Sequence, residues 1–438
     1  MARSVLAFLL ALAFSLDAAA ERLVVLTAYP EDVVSRYQAA FKKAHPELDL
    51  EIVWRMPRDA LPYLRQPRQG GVDVYWSAAY GNYLALKGEH AFRTLEIDRA
   101  GIAERIGPAS IADPEGYFIA TELAAYGFGL NPDYLGRHAL PQPKTWEDLA
   151  KPAFQGHVLL PVPSKVGFAP MLAELLLETY GWDRGWALLS EIAANSELFM
   201  PGGPFMTDRL ASGGKGIALS LDFFFASAIA NGAPLAFVYP DRIGFSPAHV
   251  AIAASTERPE ASKAFVEFLL SEAGQMLLFH PDIRKLPVRP AVYRAAPEGY
   301  FRPFERPGHG VVYDAARNLA RLPVISALFD EFVTNRHERV TALWTRVRQA
   351  EAAAERLGEK DLREQAARAR ALAGRVPVSE AEAEGLTGLV APSSGKDEAQ
   401  RRSEAAKAKW RESLARYAAE AERLAREVLE TARRESSA

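Results

Sequence analysis

From residue 23 to residue 270, short apolar runs alternate with amphipathic segments, and this alternation restricts the fold more than any other feature of the chain. Residues 23–27 read as a buried strand, and 31–44 as a helix with Val33, Val34, Tyr37 and Phe41 along one side. Strand 48–54, helix 58–64 and strand 72–76 follow. Strands separated by helices pair in parallel through right-handed crossovers, and such sheets take ligands beyond the carboxyl ends of their strands. After a less regular stretch the pattern resumes with strand 158–161 and helices 168–179 and 182–194. Strands 216–221 and 234–239 then flank helix 222–230, and strand 249–254 precedes helix 260–270. The expected fold class is α/β with two lobes. Lobe 1 takes 21–125 and 238–318, and lobe 2 takes 126–237 as an insertion, with crossings near 127–132 and 237–241. Two consecutive domains would give the same pattern.

The ends of the chain differ from this body. Met1-Ala2-Arg3 places one positive charge before an apolar run from Val5 to Phe14, and Ala18-Ala19-Ala20 precede Glu21-Arg22. A basic end, an apolar stretch too short to span a bilayer and a small-residue exit read as a cleavable export signal over 1–20. The mature chain is then expected in the periplasm and without membrane insertion. Beyond residue 319 the composition turns to Ala, Glu and Arg. Val340, Leu343, Val347, Ala350, Ala354 and Leu357 follow alternating three–four spacing, as do Trp410, Leu414, Tyr417, Ala421, Leu424 and Val428. Ser379 and Glu382 have the spacing of a capping box, and Pro392-Ser393-Ser394-Gly395 reads as a turn. Residues 319–438 are therefore expected to form an appended helical module that packs on itself and on a lobe.

Cysteine is absent, which removes disulfides, thiolate metal sites and a cysteine nucleophile. An exported chain without disulfides depends on a large apolar core, and 438 residues can supply one. The net charge of −3 gives no basic surface for nucleic acid. The sequence has no Gly-x-Ser-x-Gly elbow, Walker loop or His-Glu-x-x-His, and its 8 histidines are scattered. Neither an enzyme nor a cofactor or metal site is expected on these grounds.

Polar residues do recur at the expected strand ends. Thr27-Ala28-Tyr29-Pro30, Ser77-Ala78-Ala79-Tyr80 and Pro163-Ser164-Lys165-Val166-Gly167 each sit between a strand and a helix. Backbone N–H groups and hydroxyls at helix starts suit phosphate or carboxylate, and a lysine adds charge. Each hydroxyl could equally be an ordinary N-cap. Ser77, Ala78, Ser164 and Lys165 are the candidate anion ligands. Asp222, at a strand exit before Phe223-Phe224-Phe225, is the candidate partner for ligand hydroxyls or an amine, or else a capping aspartate. Tyr29 and Phe223 are the candidate aromatic walls, with Phe224 and Phe225 packed inside.

Ala124-Ala125-Tyr126-Gly127-Phe128-Gly129-Leu130-Asn131, Pro143-Lys144-Thr145-Trp146-Glu147-Asp148-Leu149 and Pro152-Ala153-Phe154-Gln155-Gly156 resemble type-two periplasmic solute-binding proteins of ABC importers. The run from Ala261 through Gly274-Gln275 extends the resemblance. The branch is the one that holds ferric-iron, phosphonate and sugar-phosphate binders. It implies a hinged two-lobed fold, a small anionic solute and an ABC permease as partner. The tail, with Val376-Pro377-Val378-Ser379 and the Trp410 segment, is similar to regulatory members that work with a membrane sensor kinase, which implies a phosphoglycerate-type ligand. Ferric members ligate iron with adjacent tyrosines where this chain has Phe223-Phe224, so iron chemistry is not implied; a carboxylate-based metal binder is the alternative.

Overall fold

The computed structural model describes residues 21–107, 109–201, 205–305, 315–386 and 397–437. The expected export signal and the Pro392-Ser393-Ser394-Gly395 turn lie outside the described residues. Strands β1 (Glu21–Thr27), β2 (Leu48–Trp54), β3 (Val74–Ser77), β4 (Arg105–Ile106), β5 (Ala109–Ser110) and β6 (Ile119–Leu130) come first along the chain. They are followed by β7 (Val158–Pro161), β8 (Ser196–Phe199), β9 (Ile217–Leu221), β10 (Ala236–Val238), β11 (Phe245–Ile252) and β12 (Leu286–Pro287).

One sheet runs in the order β2-β1-β3-β11-β6-β9-β7-β8, with β10 and β12 also paired to β6. β2, β1 and β3 are parallel, as are β9, β7 and β8, which is the pairing expected of strands joined by helices. β6 and β11 are antiparallel to each other, because one carries the chain out of lobe 1 and the other returns it. All twelve residues of β6 are buried, so the strand shows no alternation; both faces are covered. Up to Ala125 it pairs with β11 and β12; from Tyr126 it pairs with β9 and from Phe128 with β10. The crossing expected near 127–132 falls inside a continuous strand, where Ala125 gives way to Tyr126, and the one expected near 237–241 falls in residues 239–244 between β10 and β11. Gly129 is required here: a Cβ would stand 2.0 Å from the Phe225 ring.

The resulting molecule is α/β and two-lobed. Leu23, Val25, Trp76, Val250 and Phe265 belong to the lobe 1 core, and Phe128, Trp146, Val158, Leu176 and Trp186 to that of lobe 2. A helical extension follows. Helices His337–Leu357, Lys360–Ala373 and Asp397–Ser437 bury Val340, Val347, Ala350, Ala369, Ala421, Leu424 and Val428 against one another. The small residues at the seam let the helices approach closely. Ser379 and Glu382 form the capping box of helix Glu380–Gly385.

The extension also completes lobe 2. Val324, Ile325, Leu328, Phe329 and Phe332 of helix Ala315–Phe332 lie within the lobe 2 core, as do Trp410 and Leu414. Trp344 donates its indole N–H to Ser190 at 2.8 Å, and Arg348 reaches Asn195 at 2.7 Å. Arg321, 1% exposed, pairs with Glu174 of helix Ala169–Tyr180 and with Glu380. Burial pushes the Glu174 carboxyl up to about 7 even against Arg321. Removing the cation by Arg321→Ala should cost about 3–5 kcal/mol, since it leaves a buried charge unpaired. Arg321→Met combined with Glu174→Met should cost much less, and urea unfolding of both variants checks this.

Candidate ligand-binding cleft

The carboxyl ends of β1, β3 and β9 converge where the lobes meet. Ala28, Tyr29 and Pro30 follow β1 and lead into helix Glu31–Ala44, while Ser77 closes β3 before helix Tyr80–Gly88. Leu221 ends β9, and helix Asp222–Ala230 starts at once. These termini border a cavity of about 320 Å³. Tyr29, Ser77, Ala78 and Phe223 line it, together with Glu122 and Lys285. A second cavity of about 430 Å³ shares Pro57, Ala78, Leu221 and Ser246 with the first, so the two are compartments of one cleft.

The polar centre of the first compartment is Lys285, which the sequence reading did not single out. Its Nζ lies 3.1 Å from Glu122, 4.2 Å from the Tyr29 ring centroid and 5.2 Å from that of Phe223. Glu122 is 2% exposed and accepts the hydroxyls of Tyr29 and Thr121 as well. Burial and the Glu122 charge raise the Tyr29 phenol well above its usual range, so it stays protonated and donates. Tyr29 in turn packs on Trp76 with centroids 4.5 Å apart. A glutamate, the one charged residue of the 119–130 run, was the available signal, because a buried carboxylate demands a cation. Lys285 left no such trace: its neighbours Arg284, Leu286 and Pro287 form no periodic pattern.

The other candidates lie elsewhere. Ser164 and Lys165 are exposed and border neither compartment; the Ser164 hydroxyl donates to Asp330 of the extension at 2.9 Å. From the same loop, Gly167 and Phe168 do reach the cleft. Asp222 is 1% exposed, with its oxygens occupied at the crossing between lobes. Oδ1 accepts the Ala125 N–H at 2.9 Å and the Phe223 N–H at 2.8 Å, and Oδ2 accepts the Tyr239 hydroxyl at 3.2 Å. It holds backbone where β6 changes partners. Phe225 is buried as expected, but Phe224 is 43% exposed and borders the first compartment, because it stands on the open first turn of its helix.

Burial pushes the Asp222 carboxyl up to about 7, against the lowering effect of its three hydrogen bonds. A carboxyl whose folded value is raised binds its proton more tightly in the folded state. Its contribution is fully present below the ordinary value of 3.8 and is lost as pH rises through about 7. Asp222→Asn, which keeps an acceptor for both N–H groups, should flatten the fall in melting temperature across that window. Melting curves from pH 4 to pH 8 test it.

Comparison with known proteins agrees with this architecture. Residues 89–305 match the family described as bacterial extracellular solute-binding protein. That match spans just under half of the chain, and the two-lobed fold with a cleft at its strand ends agrees with it. In particular, the sequence is similar to the phosphoglycerate transport regulatory protein PgtC of Salmonella typhimurium, 29% identical over 202 residues, which cover 46% of this chain. The match spans 50% of that relative's length. The fold is shared with iron-bound HitA from Pseudomonas aeruginosa (TM-score 0.55, 16% identity, 66% of this chain and 93% of that one). It is shared also with AfuA from Actinobacillus pleuropneumoniae bound to fructose-6-phosphate (TM-score 0.53, 15% identity, 74% and 97%). Among the described residues no helix is long and apolar enough to cross a membrane.

Proposed function

We propose that the chain is an exported receptor whose lobes close over a small organic anion, phosphorylated or carboxylated, and present that closed state to a membrane partner. The observation that carries this reading is the Lys285 ammonium, set in the cleft between the Tyr29 and Phe223 rings. An ammonium has three donors. Among the described residues Glu122 is its acceptor, at 3.1 Å, which leaves N–H capacity for a ligand oxygen. Ser77 and Ser246 add hydroxyls on the same compartment wall, and the backbone around Ala78 lies beside them. Tyr29 and Phe223 are the aromatic walls. Closure follows if the closed form binds the anion more tightly than the open one.

The relative similar to this chain is described as a transport regulatory protein. That description and the large helical extension favour a sensor kinase as the partner over a permease alone. A metal-binding role has less support. The Phe223 and Phe224 side chains carry no oxygen, and among the described residues no group of three or more His, Asp or Glu is placed to hold a metal ion.

A thermal-shift screen with inorganic phosphate, phosphoglycerates, phosphoenolpyruvate and hexose phosphates tests the reading. A ligand at about 100 times its Kd stabilises by about 2.7 kcal/mol. Lys285→Met made together with Glu122→Gln leaves no buried charge unpaired and should abolish the shift, whereas Lys165→Ala should preserve it. An unmoved melting temperature with every anion would sink the proposal.

A further inference from the structure

The second compartment constrains the ligand further, given the anion reading above. Tyr126, Phe168, Met171, Leu221, Phe245 and Leu322 make up much of its wall, and none of the described residues that line it is an Asp, Glu, Lys or Arg. Its polar side chains are Ser110, Ser246, the Tyr80 and Tyr126 phenols and His249. His249 is 1% exposed, its ring stacks on Tyr80 at 4.8 Å, and its Nδ1 has no hydrogen-bond partner among the described residues. Burial alone depresses the imidazole to about 3, so it adds no charge at neutral pH. An apolar cavity of ~150 Å³ already accepts benzene, and this one is about 430 Å³. A charged group placed there would lose its hydration with no counter-charge to replace it.

Leu322 has a separate origin. It belongs to helix Ala315–Phe332, the first helix of the extension, whose Val324, Ile325, Leu328 and Phe329 are fixed in the lobe 2 core. The same helix holds Ser164 through Asp330. The extension therefore contributes a wall of the cleft.

We propose that the ligand is charged at one end only, with its anionic group at Lys285 and an apolar, ring-sized body in the second compartment, whose wall Leu322 completes. A compact acid charged at both ends fits this division poorly, because its second charge would face the uncharged wall.

The test measures calorimetric affinities of the full chain for inorganic phosphate, 3-phosphoglycerate, phenyl phosphate and the neutral probe benzyl alcohol. Phenyl phosphate should bind at least about tenfold more tightly than phosphate or 3-phosphoglycerate, the factor that burying a ring supplies. Leu322→Gln should reduce phenyl phosphate affinity about fivefold or more and leave phosphate affinity unchanged, since a polar amide replaces apolar wall. Leu322→Met, of similar volume, should retain the preference, and melting curves establish that both variants are folded. If 3-phosphoglycerate binds as tightly as phenyl phosphate, or if Leu322→Gln leaves their ratio unmoved, the inference is overturned while the anion reading stands. If no anion binds but benzyl alcohol does, the Lys285 reading fails and the proposal for a one-ended anion fails with it, leaving the apolar compartment to a neutral solute.

Discussion

The backbone ladder through β6 is the constraint on which the remaining structure depends. A single strand pairs with lobe 1 over its first half and with lobe 2 over its second, so the lobes share hydrogen bonds instead of merely touching. Where one set of partners ends and the next begins, Asp222 supplies the acceptor for the Ala125 N–H. That arrangement fixes where the cleft lies. The strand exits that carry Tyr29, Ser77 and Phe223 face one another because β1, β3 and β9 are strung along the same sheet.

Much of the fold was legible from periodicity. The helix at Trp182–Ala194 and the one at Asp222–Ala230 fall where apolar spacing put them, and the expected seam positions are buried except Leu357 and Tyr417, which are half-buried. β6 was not legible. A strand buried on both faces loses the alternation that identifies a strand. β8 did not register because Ser196 and Glu197 leave it only two apolar residues, Leu198 and Phe199. The cleft was legible in part, through the residues at strand exits. Lys285 and Glu122 come from distant positions, and their meeting is a property of the fold, not of any local pattern. Ser164 and Lys165 had the right local chemistry, but the extension packs against their loop, a contact made across 166 positions in the case of Ser164.

The cleft combines a strongly localised charge pair with extensive apolar wall. Lys285 and Glu122 are desolvated together, and the pair is supported by the Tyr29 and Thr121 hydroxyls and by aromatic faces. Such pairs contribute little net stability against an apolar replacement, so retaining one at a cleft surface is better explained by orientation than by folding energy. The buried pair and the second compartment, which has no charged side chain among the described residues, give the cleft one charged end and one largely apolar end.

The longest helix of the extension, Asp397–Ser437, has 41 residues, which at 1.5 Å per residue is about 60 Å of rod. Its Trp410 and Leu414 are rooted in the lobe 2 core. A rod fastened to one of two hinged bodies behaves as a lever arm. Displacement grows with distance from the pivot, so a small rotation at the β6 crossing becomes a much larger excursion at the rod's far end. Should the lobes rotate about that crossing, the rod would carry the change of angle outward from the cleft.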